Sequence, residues 1–299
     1  MDDFLQILFG GLALGARYAL VALGFVIIYK ATGVINFAQG GLLALGAYLT
    51  YALVNDAGLP FWLAVLGGAA GTALVGALTE RVVLRRMVGQ PVFAVIMITI
   101  GLLFIIDQLI TAIWGFDALN LADPWGVDVV NVGEVALAEK DLWTLALAAA
   151  VLAGFFAFFR FTDWGVAMRA TAFDQEAALA QGISARNVFA LSWAISGALA
   201  ALAGVTLAAG GGAGLSPGIG TIALLAFPAM IVGGLDSPAG AVLGGLIIGV
   251  TQALVAGYQD DVAPWLGEGF SSVAPFVVMV LILLVRPYGL FGTPEVRRV

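Results

Sequence analysis

Long, continuous apolar stretches recur along the whole chain. Eight of them approach the ~20 residues that an α-helix needs to cross a bilayer, and they cover roughly residues 4–29, 34–54, 60–79, 92–114, 142–159, 187–209, 239–257 and 270–285. A shorter run at about 221–234 either crosses or re-enters. Continuous rather than alternating runs predict helices and exclude a β-barrel. We therefore expect an all-α, polytopic transmembrane helical bundle with about eight or nine membrane segments, some of them broken or re-entrant.

The composition strengthens this prediction and removes most enzyme chemistry. Hydrophobic residues make up 62% of the 299-residue chain and charged residues only 10%, whereas a soluble domain is usually about a quarter charged. The chain has no cysteine and no histidine, which excludes disulfides, thiol catalysis, His-based triads and His-ligated zinc. We expect one membrane domain over residues 1–299, with no catalytic residues and no metal site. The start Met1-Asp2-Asp3 lacks the basic region of a signal peptide, so the first run is expected to be retained.

If the N-terminus lies outside and each apolar run crosses the membrane in turn, basic and acidic residues collect on opposite sides of the membrane. Ten basic residues then share one side: Lys30, Arg81, Arg85, Arg86, Arg160, Arg169, Arg186, Arg286, Arg297 and Arg298. The other side collects Asp2, Asp3, Asp56, Asp117, Asp123, Asp128, Glu134, Glu139, Asp141, Asp260, Asp261 and Glu268. The positive-inside rule predicts a cytoplasmic C-terminus and an acidic outer face. The net charge of −7 thus describes that face, and we expect no nucleic-acid partner.

Glycine and proline interrupt the apolar pattern at residues 32–41 and 210–240. Broken helices often mark a substrate route, because unwound backbone offers polar groups at membrane depth. Thr32, Asn36, Gln39 and Asp107 are therefore candidates for the substrate path. For Asn36 and Gln39 a helix-to-helix hydrogen bond is the equal alternative. For Asp107 the alternatives are an ion pair with Arg17 or wetting near the outer face.

Two further features concern packing and the outer face. The glycines at 240, 244, 245 and 249 follow a small-residue spacing that favours close helix packing over a role in transport. The longest polar connection, residues 115–141, carries Pro124, one tryptophan (Trp125) and six acidic residues. We expect it to form a small ordered cap on the outer face.

A charged island at residues 160–186 interrupts the apolar chain and suits a cytoplasmic docking helix. Thr162 or Asp163 is placed to cap its start, and Gly182 to take the left-handed position that ends it. We expect one helix over about 162–182, with Phe173, Ala177 and Ala180 on one stripe. Its coupling candidates are Arg169, Phe173, Asp174, Glu176, Ala177, Ala178 and Gly182. A simple connecting loop is the alternative.

Several segments together resemble a known family. Glu176-Ala177-Ala178 followed by Gly182 matches the EAA-x-x-x-G loop by which permeases of ATP-binding cassette (ABC) importers dock on their ATPases. With residues 11–48, 224–249 and 283–292, it resembles the permeases of branched-chain amino-acid ABC importers, the LivH-like group. Where many relatives have histidine and glycine, this chain has Gln39 and Asp236.

The resemblance implies a permease that moves branched-chain or other small amino acids inward by alternating access across the bacterial inner membrane. It implies a homologous second permease, two cytoplasmic ATPases and an external substrate-binding protein. ATP and Mg²⁺ would be bound by the ATPases, since this chain has no GxxxxGK[ST] phosphate loop. Cofactors are expected in the partner subunits alone.

Three alternatives remain open from the sequence. Related systems carry urea or short amides, so the resemblance does not determine which substrate is transported. An ion-coupled secondary carrier would also use broken helices, although it explains the charged island poorly. An intramembrane protease would lack a histidine base or a second convergent aspartate.

Overall fold

The computed structural model describes residues 2–133, 135–210, 214–216, 218–267 and 269–293. The predictions that concern Glu134, Glu268, Arg297 and Arg298 lie outside these ranges, as does part of the glycine-rich stretch at 210–220.

Helices form most of the described chain. The α-helices are α1 (Asp2–Thr32), α2 (Gln39–Tyr51), α3 (Phe61–Val82), α4 (Val92–Trp114), α5 (Glu139–Phe161), α6 (Asp163–Phe173), α7 (Gln175–Ala180), α8 (Ala185–Ala208), α9 (Phe227–Gly233), α10 (Pro238–Val262) and α11 (Ala274–Val285). A π-helical turn, Ala52–Asp56, extends α2, and 3-10 turns cover Leu84–Met87, Ile219–Ala226, Pro264–Leu266 and Phe270–Ser272.

The apolar runs of the sequence coincide with these helices, but only some helices are long enough to span. Within the described ranges, six are long and apolar enough to cross a membrane: Asp3–Thr32, Phe61–Met87, Val92–Trp114, Glu139–Phe161, Ala185–Ala208 and Pro238–Val262. Ile219–Gly233 and Phe270–Val285 are shorter apolar segments. The chain is thus a helical membrane bundle, and the count of eight or nine membrane segments stays a prediction.

Helix α1 lies at the centre of the bundle, against α5, α8 and α10. Glycines allow its close approach to α10, because a Cβ at Gly245 would overlap the backbone of Ala19 and one at Gly249 would overlap that of Gly15. The glycine stripe of α10 therefore packs helices, as its spacing indicates.

Opposite charges gather at opposite ends of the bundle. At one end, which we call the basic end, Lys30 donates to the backbone carbonyl of Asp236 at 2.8 Å. Arg160 and Arg169 border the same surface groove as Lys30. At the other end, which we call the acidic end, the Asp123 carboxylate accepts a hydrogen bond from the backbone of Gly210 and the Asp141 carboxylate accepts one from Arg17. Which end faces the cytoplasm remains a prediction of the charge pattern.

The connection over residues 115–141 contains a β-hairpin that the all-α prediction misses. Strands β1 (Val129–Val132) and β2 (Val135–Ala138) pair antiparallel. Trp125, 4% exposed, packs against Trp62 and Trp143 with ring centroids 5.7 and 6.0 Å away. The Asp123 carboxylate accepts a hydrogen bond from the backbone of Gly210 at 2.9 Å. The segment is thus ordered against the acidic end.

The expected ion pair between Arg17 and Asp107 is wrong. The Arg17 guanidinium donates to the Asp141 carboxylate at 2.8 Å and to the Thr144 hydroxyl at 3.2 Å. Asp141 lies in the first turn of α5, which packs against α1. The partner of Arg17 is therefore the Asp141 carboxylate on this neighbouring helix, and not that of Asp107.

Candidate docking and translocation sites

The charged island forms two short helices rather than the single helix expected over 162–182. Helix α6 ends at Phe173, and Asp174 takes an extended conformation with φ −155° and ψ 108°. Its carboxylate accepts hydrogen bonds from the backbone of Glu176 at 2.9 Å and Ala177 at 3.0 Å. Because aspartate satisfies free N–H groups at a helix start better than it continues a helix, it ends α6 and begins α7.

Both ends of the island carry the caps that the sequence predicts. The Thr162 hydroxyl accepts from the backbone of Gly165 at 3.1 Å at the start of α6. Gly182 has φ +82°, and its N–H bonds to the carbonyl of Leu179 at 3.0 Å. The N–H of Ile183 bonds to the carbonyl of Ala178 at 3.0 Å. This Schellman motif turns the chain from α7 into α8.

The coupling candidates divide into exposed and inward-facing residues. Phe173 is 94% exposed at the basic end, and Asp174, Glu176, Ala177 and Gly182 are also exposed. Ala178 is only 3% exposed, so it packs within the chain and offers no open docking surface.

Arg169 also turns inward. Its guanidinium donates to the carbonyl of Phe159 and lies 5.3 Å from the centroid of that ring. It thus holds α6 against the end of α5. The exposed surface of the island includes Trp164 and Val166 in the first half of α6, the end of α6 and the outer side of α7.

Gln39 joins three helices through a buried hydrogen-bond network. Its side-chain oxygen accepts from the Ser196 hydroxyl at 2.7 Å, and its amide donates to the Ser196 carbonyl at 3.3 Å. The same hydroxyl lies 2.9 Å from the carbonyl of Gly24, so α1, α2 and α8 meet there. Gln39 is fully buried and borders none of the cavities described below. The structure favours the helix-to-helix alternative for this residue.

Asn36 and Thr32 border a cavity of about 200 Å³ at the basic end. Asn36 is 1% exposed and its oxygen accepts from the backbone of Ala38 at 3.0 Å. Glu80, Thr99 and Gln175 also border this basic-end cavity. Gln175 begins α7 and donates to the carbonyl of Ala31 at 3.3 Å. The cavity therefore adjoins both the first broken segment and the island.

Asp107 borders a second cavity, of about 90 Å³, between α2, α4 and the 3-10 turn Ile219–Ala226. It lies about 10 Å from the acidic end of α4, at 1.5 Å per helical residue. We call this space the midspan cavity. The structure therefore separates the four substrate-path candidates, with Thr32 and Asn36 at one cavity, Asp107 at another and Gln39 between helices.

An ion pair with a buried carboxylate lies near the island and is absent from the sequence predictions. Arg85 donates to the Glu80 carboxylate at 3.0 Å and to the Arg186 carbonyl at 3.2 Å. The side chain of Glu80 is 2% exposed. This pair ties the end of α3 to the start of α8, just beyond α7. The five-residue spacing near the end of an apolar run was the only local signal for it.

No group of three or more carboxylates in the described ranges is placed to hold a metal ion. The chemistry that these sites offer is hydrogen bonding, charge pairing and apolar contact.

Comparison with known proteins decides the family. The family model described as "Branched-chain amino acid transport system / permease component" matches residues 7–285. The chain belongs to this permease family. A high-affinity branched-chain amino acid transport permease, LivH of Escherichia coli K12, is 32% identical, with 99% of this chain and 98% of that protein covered. BraD of Pseudomonas aeruginosa is 31% identical with the same coverage.

A more distant relative and a solved structure extend these family similarities. A probable branched-chain amino acid transport permease of Methanocaldococcus jannaschii is 28% identical over 96% of this chain and 92% of that protein. The structure of PsaBC from Streptococcus pneumoniae in complex with Fab matches with a TM-score of 0.51 and 16% identity. It covers 96% of this chain and 94% of that one, and the match indicates a shared fold. Membership of the permease family makes this chain a multi-pass transport component.

Proposed function

We propose that the chain is the permease subunit of an ATP-driven importer that moves branched-chain amino acids across the cell membrane by alternating access. The observation that carries the proposal is the similarity to LivH and BraD over nearly the whole chain. We infer a homologous second permease, two ATPase subunits and an external substrate-binding protein as partners, with ATP and Mg²⁺ bound by the ATPases. The chain then performs no bond chemistry of its own.

The exposed island is the proposed ATPase contact. Phe173 offers an apolar anchor that is 94% exposed, and the small Ala177 beside it permits close approach. Glu176, in the first turn of α7, is available to a basic residue at the rim of a partner groove. Movement of the ATPases would pass through the Gly182 turn into α8, and through Arg85 and Glu80 into α3.

The proposed path runs between two permease subunits and includes both cavities. The basic-end cavity brings Thr32 and Asn36 next to Gln175 of the island, so a change in the island's position would alter the shape of the cavity. We infer that this end is cytoplasmic, with the N-terminus outside, because it gathers Lys30 and several arginines.

Reconstituted vesicles test this function. The complex is purified with its own ATPases and binding protein, and uptake of labelled leucine, isoleucine and valine is measured with ATP inside the vesicles and ionophores present. We expect uptake that requires ATP and persists when ion gradients are collapsed. Uptake that follows the ion gradient without ATP would contradict the proposal.

A further inference from the structure

The midspan cavity has an apolar floor and an opening on the surface of the chain. Phe25 and Phe37 border it, and both rings pack on Phe227 with centroid distances of 5.6 and 5.7 Å. Phe104 and Leu224 stand at its edge and are 63% and 44% exposed. The cavity is therefore closed by aromatic side chains on one side and open at the surface of the chain on the other.

Two interrupted segments meet at this cavity. Helix α2 starts only at Gln39, and Gly41 packs against Ile106, which lies deep in α4. A Cβ at Gly40 would overlap the carbonyl oxygen of Gly220, so the first turn of α2 crosses the 3-10 turn Ile219–Ala226 in direct backbone contact. Glycine at both positions allows this crossing at membrane depth.

The start of α2 leaves hydrogen-bond donors beside the cavity. In the described ranges, the backbone N–H groups of Gly40 and Gly41 have no hydrogen-bond acceptor, as is usual for the first turn of a helix. Both residues border the midspan cavity. Free N–H groups at a helix start attract a carboxylate.

Asp107 places a negatively charged carboxylate at the same cavity. Its carboxylate accepts no hydrogen bond and forms no ion pair with any residue that the structure describes. An ionised group within a membrane-spanning helix is costly unless water, protein or a ligand compensates it. Thr221, which is exposed, borders the same opening. Ionisable side chains within membrane helices face the bundle interior or a water-filled cavity, so we place the Asp107 face toward the transport path.

We propose that the midspan cavity is a recognition subsite within the permease for a zwitterionic amino acid with an apolar side chain. The carboxylate of Asp107 lies opposite the α-ammonium group, the N–H groups of Gly40 and Gly41 face the α-carboxylate, and the aromatic walls receive the branched side chain. The second permease subunit closes the open side. This subsite rests on the proposed transport function. It would allow the permease itself to select the substrate after the binding protein has released it.

A single cysteine reports on occupancy, because the native chain contains none. Thr221→Cys is introduced at the cavity, and Leu109→Cys, 56% exposed on α4 and away from the cavity, serves as the matched control. The complete complex is held in lipid nanodiscs, and the rate of alkylation by a small thiol reagent is measured with leucine or 4-methylpentanoate. The second compound has the same side chain and carboxylate but lacks the ammonium group.

We expect leucine to slow the modification of Thr221→Cys and not that of Leu109→Cys, and 4-methylpentanoate to give little protection. Asp107→Asn should raise the leucine concentration for half-protection by about tenfold or more, since a charge-assisted contact is lost. Asp107→Glu should keep most of the protection.

Three results would overturn the subsite. These are no protection by leucine, equal protection by 4-methylpentanoate, and protection that Asp107→Asn leaves unchanged. Loss of the second permease from the Asp107→Asn complex would also overturn it, because the carboxylate would then serve subunit pairing. Leucine uptake by the unaltered complex is measured in parallel. Failure of that uptake rejects the proposed function, whereas normal uptake without protection rejects the subsite alone.

Discussion

The guanidinium of Arg17 and the carboxylate of Asp141 form an ion pair of 2.8 Å between α1 and the first turn of α5. Their side chains are 13% and 17% exposed, so solvent screens the pair less than a surface salt bridge. The Thr144 hydroxyl accepts a second bond from Arg17 at 3.2 Å. The pair fixes the central helix against a peripheral one near the acidic end.

Arg17→Gln should destabilise the chain by about 1–3 kcal/mol, because Asp141 would be left half-buried without its charged partner. The double variant Arg17→Gln/Asp141→Asn should lose less than the sum of the two single variants. Thermal unfolding in detergent measures both. Arg81→Gln, an exposed arginine in the last turn of α3, is the control. Additive effects of the two variants would contradict the pair.

Gln39→Leu should lower the melting temperature, because it leaves the buried Ser196 hydroxyl without its side-chain partner in α2. The expected loss is about 1–3 kcal/mol. Ser192→Ala is the matched control, since among the residues that the structure describes that buried hydroxyl bonds only to the carbonyl of Val188 in its own helix, at 2.9 Å. Reduced transport with an unchanged melting temperature would instead return Gln39 to the substrate path.

Gly182→Val should uncouple ATP hydrolysis from transport while leaving the chain in the membrane. A β-branched residue at φ +82° is strained by about 1–3 kcal/mol, which disturbs the turn between α7 and α8. Gly154→Val is the control, because in the described part of the chain no atom outside the neighbouring turns of its own helix lies within 4 Å of a Cβ at that position. ATPase activity and uptake are measured together, and normal coupling in Gly182→Val would contradict the mechanical role of the turn.

Membrane orientation is tested with an impermeant thiol reagent. A cysteine at Ala118, exposed near the hairpin, should react from outside, and one at Ser184, exposed beside α7, should react only after the membrane is permeabilised. Ser184 is preferable to the neighbouring Ala185, which is 8% exposed. The reverse pattern would place the basic end outside and remove the proposed ATPase contact.

Local signals in the sequence predict much of this architecture. Apolar runs predict the helices, and Thr162 and Gly182 act as caps because capping depends on residues only a few positions away. The break at Asp174 was also locally encoded, since aspartate before Gln-Glu-Ala is a helix-start signal, but the alanine-rich pattern favoured one long helix.

Contacts between residues that lie far apart in the chain could not be predicted from the sequence. The partner of Arg17 is 124 residues away, and the contact of Gly40 with Gly220 depends on how two interrupted segments cross. The burial of Ala178 likewise depends on packing against the rest of the bundle. Such contacts are set by tertiary structure, so apolar periodicity and residue spacing do not reveal them.

Site-specific crosslinking tests the central claim most directly. A photoreactive residue is placed at Phe173, 94% exposed at the basic end, and at Phe116, 81% exposed beyond the end of α4, in the assembled complex. We expect position 173 to crosslink to an ATPase subunit, and Ala177→Trp to reduce that crosslink by blocking close approach. Position 116 should crosslink to no ATPase. ATPase crosslinks from position 116, or none from position 173 in a transporting complex, would contradict the account.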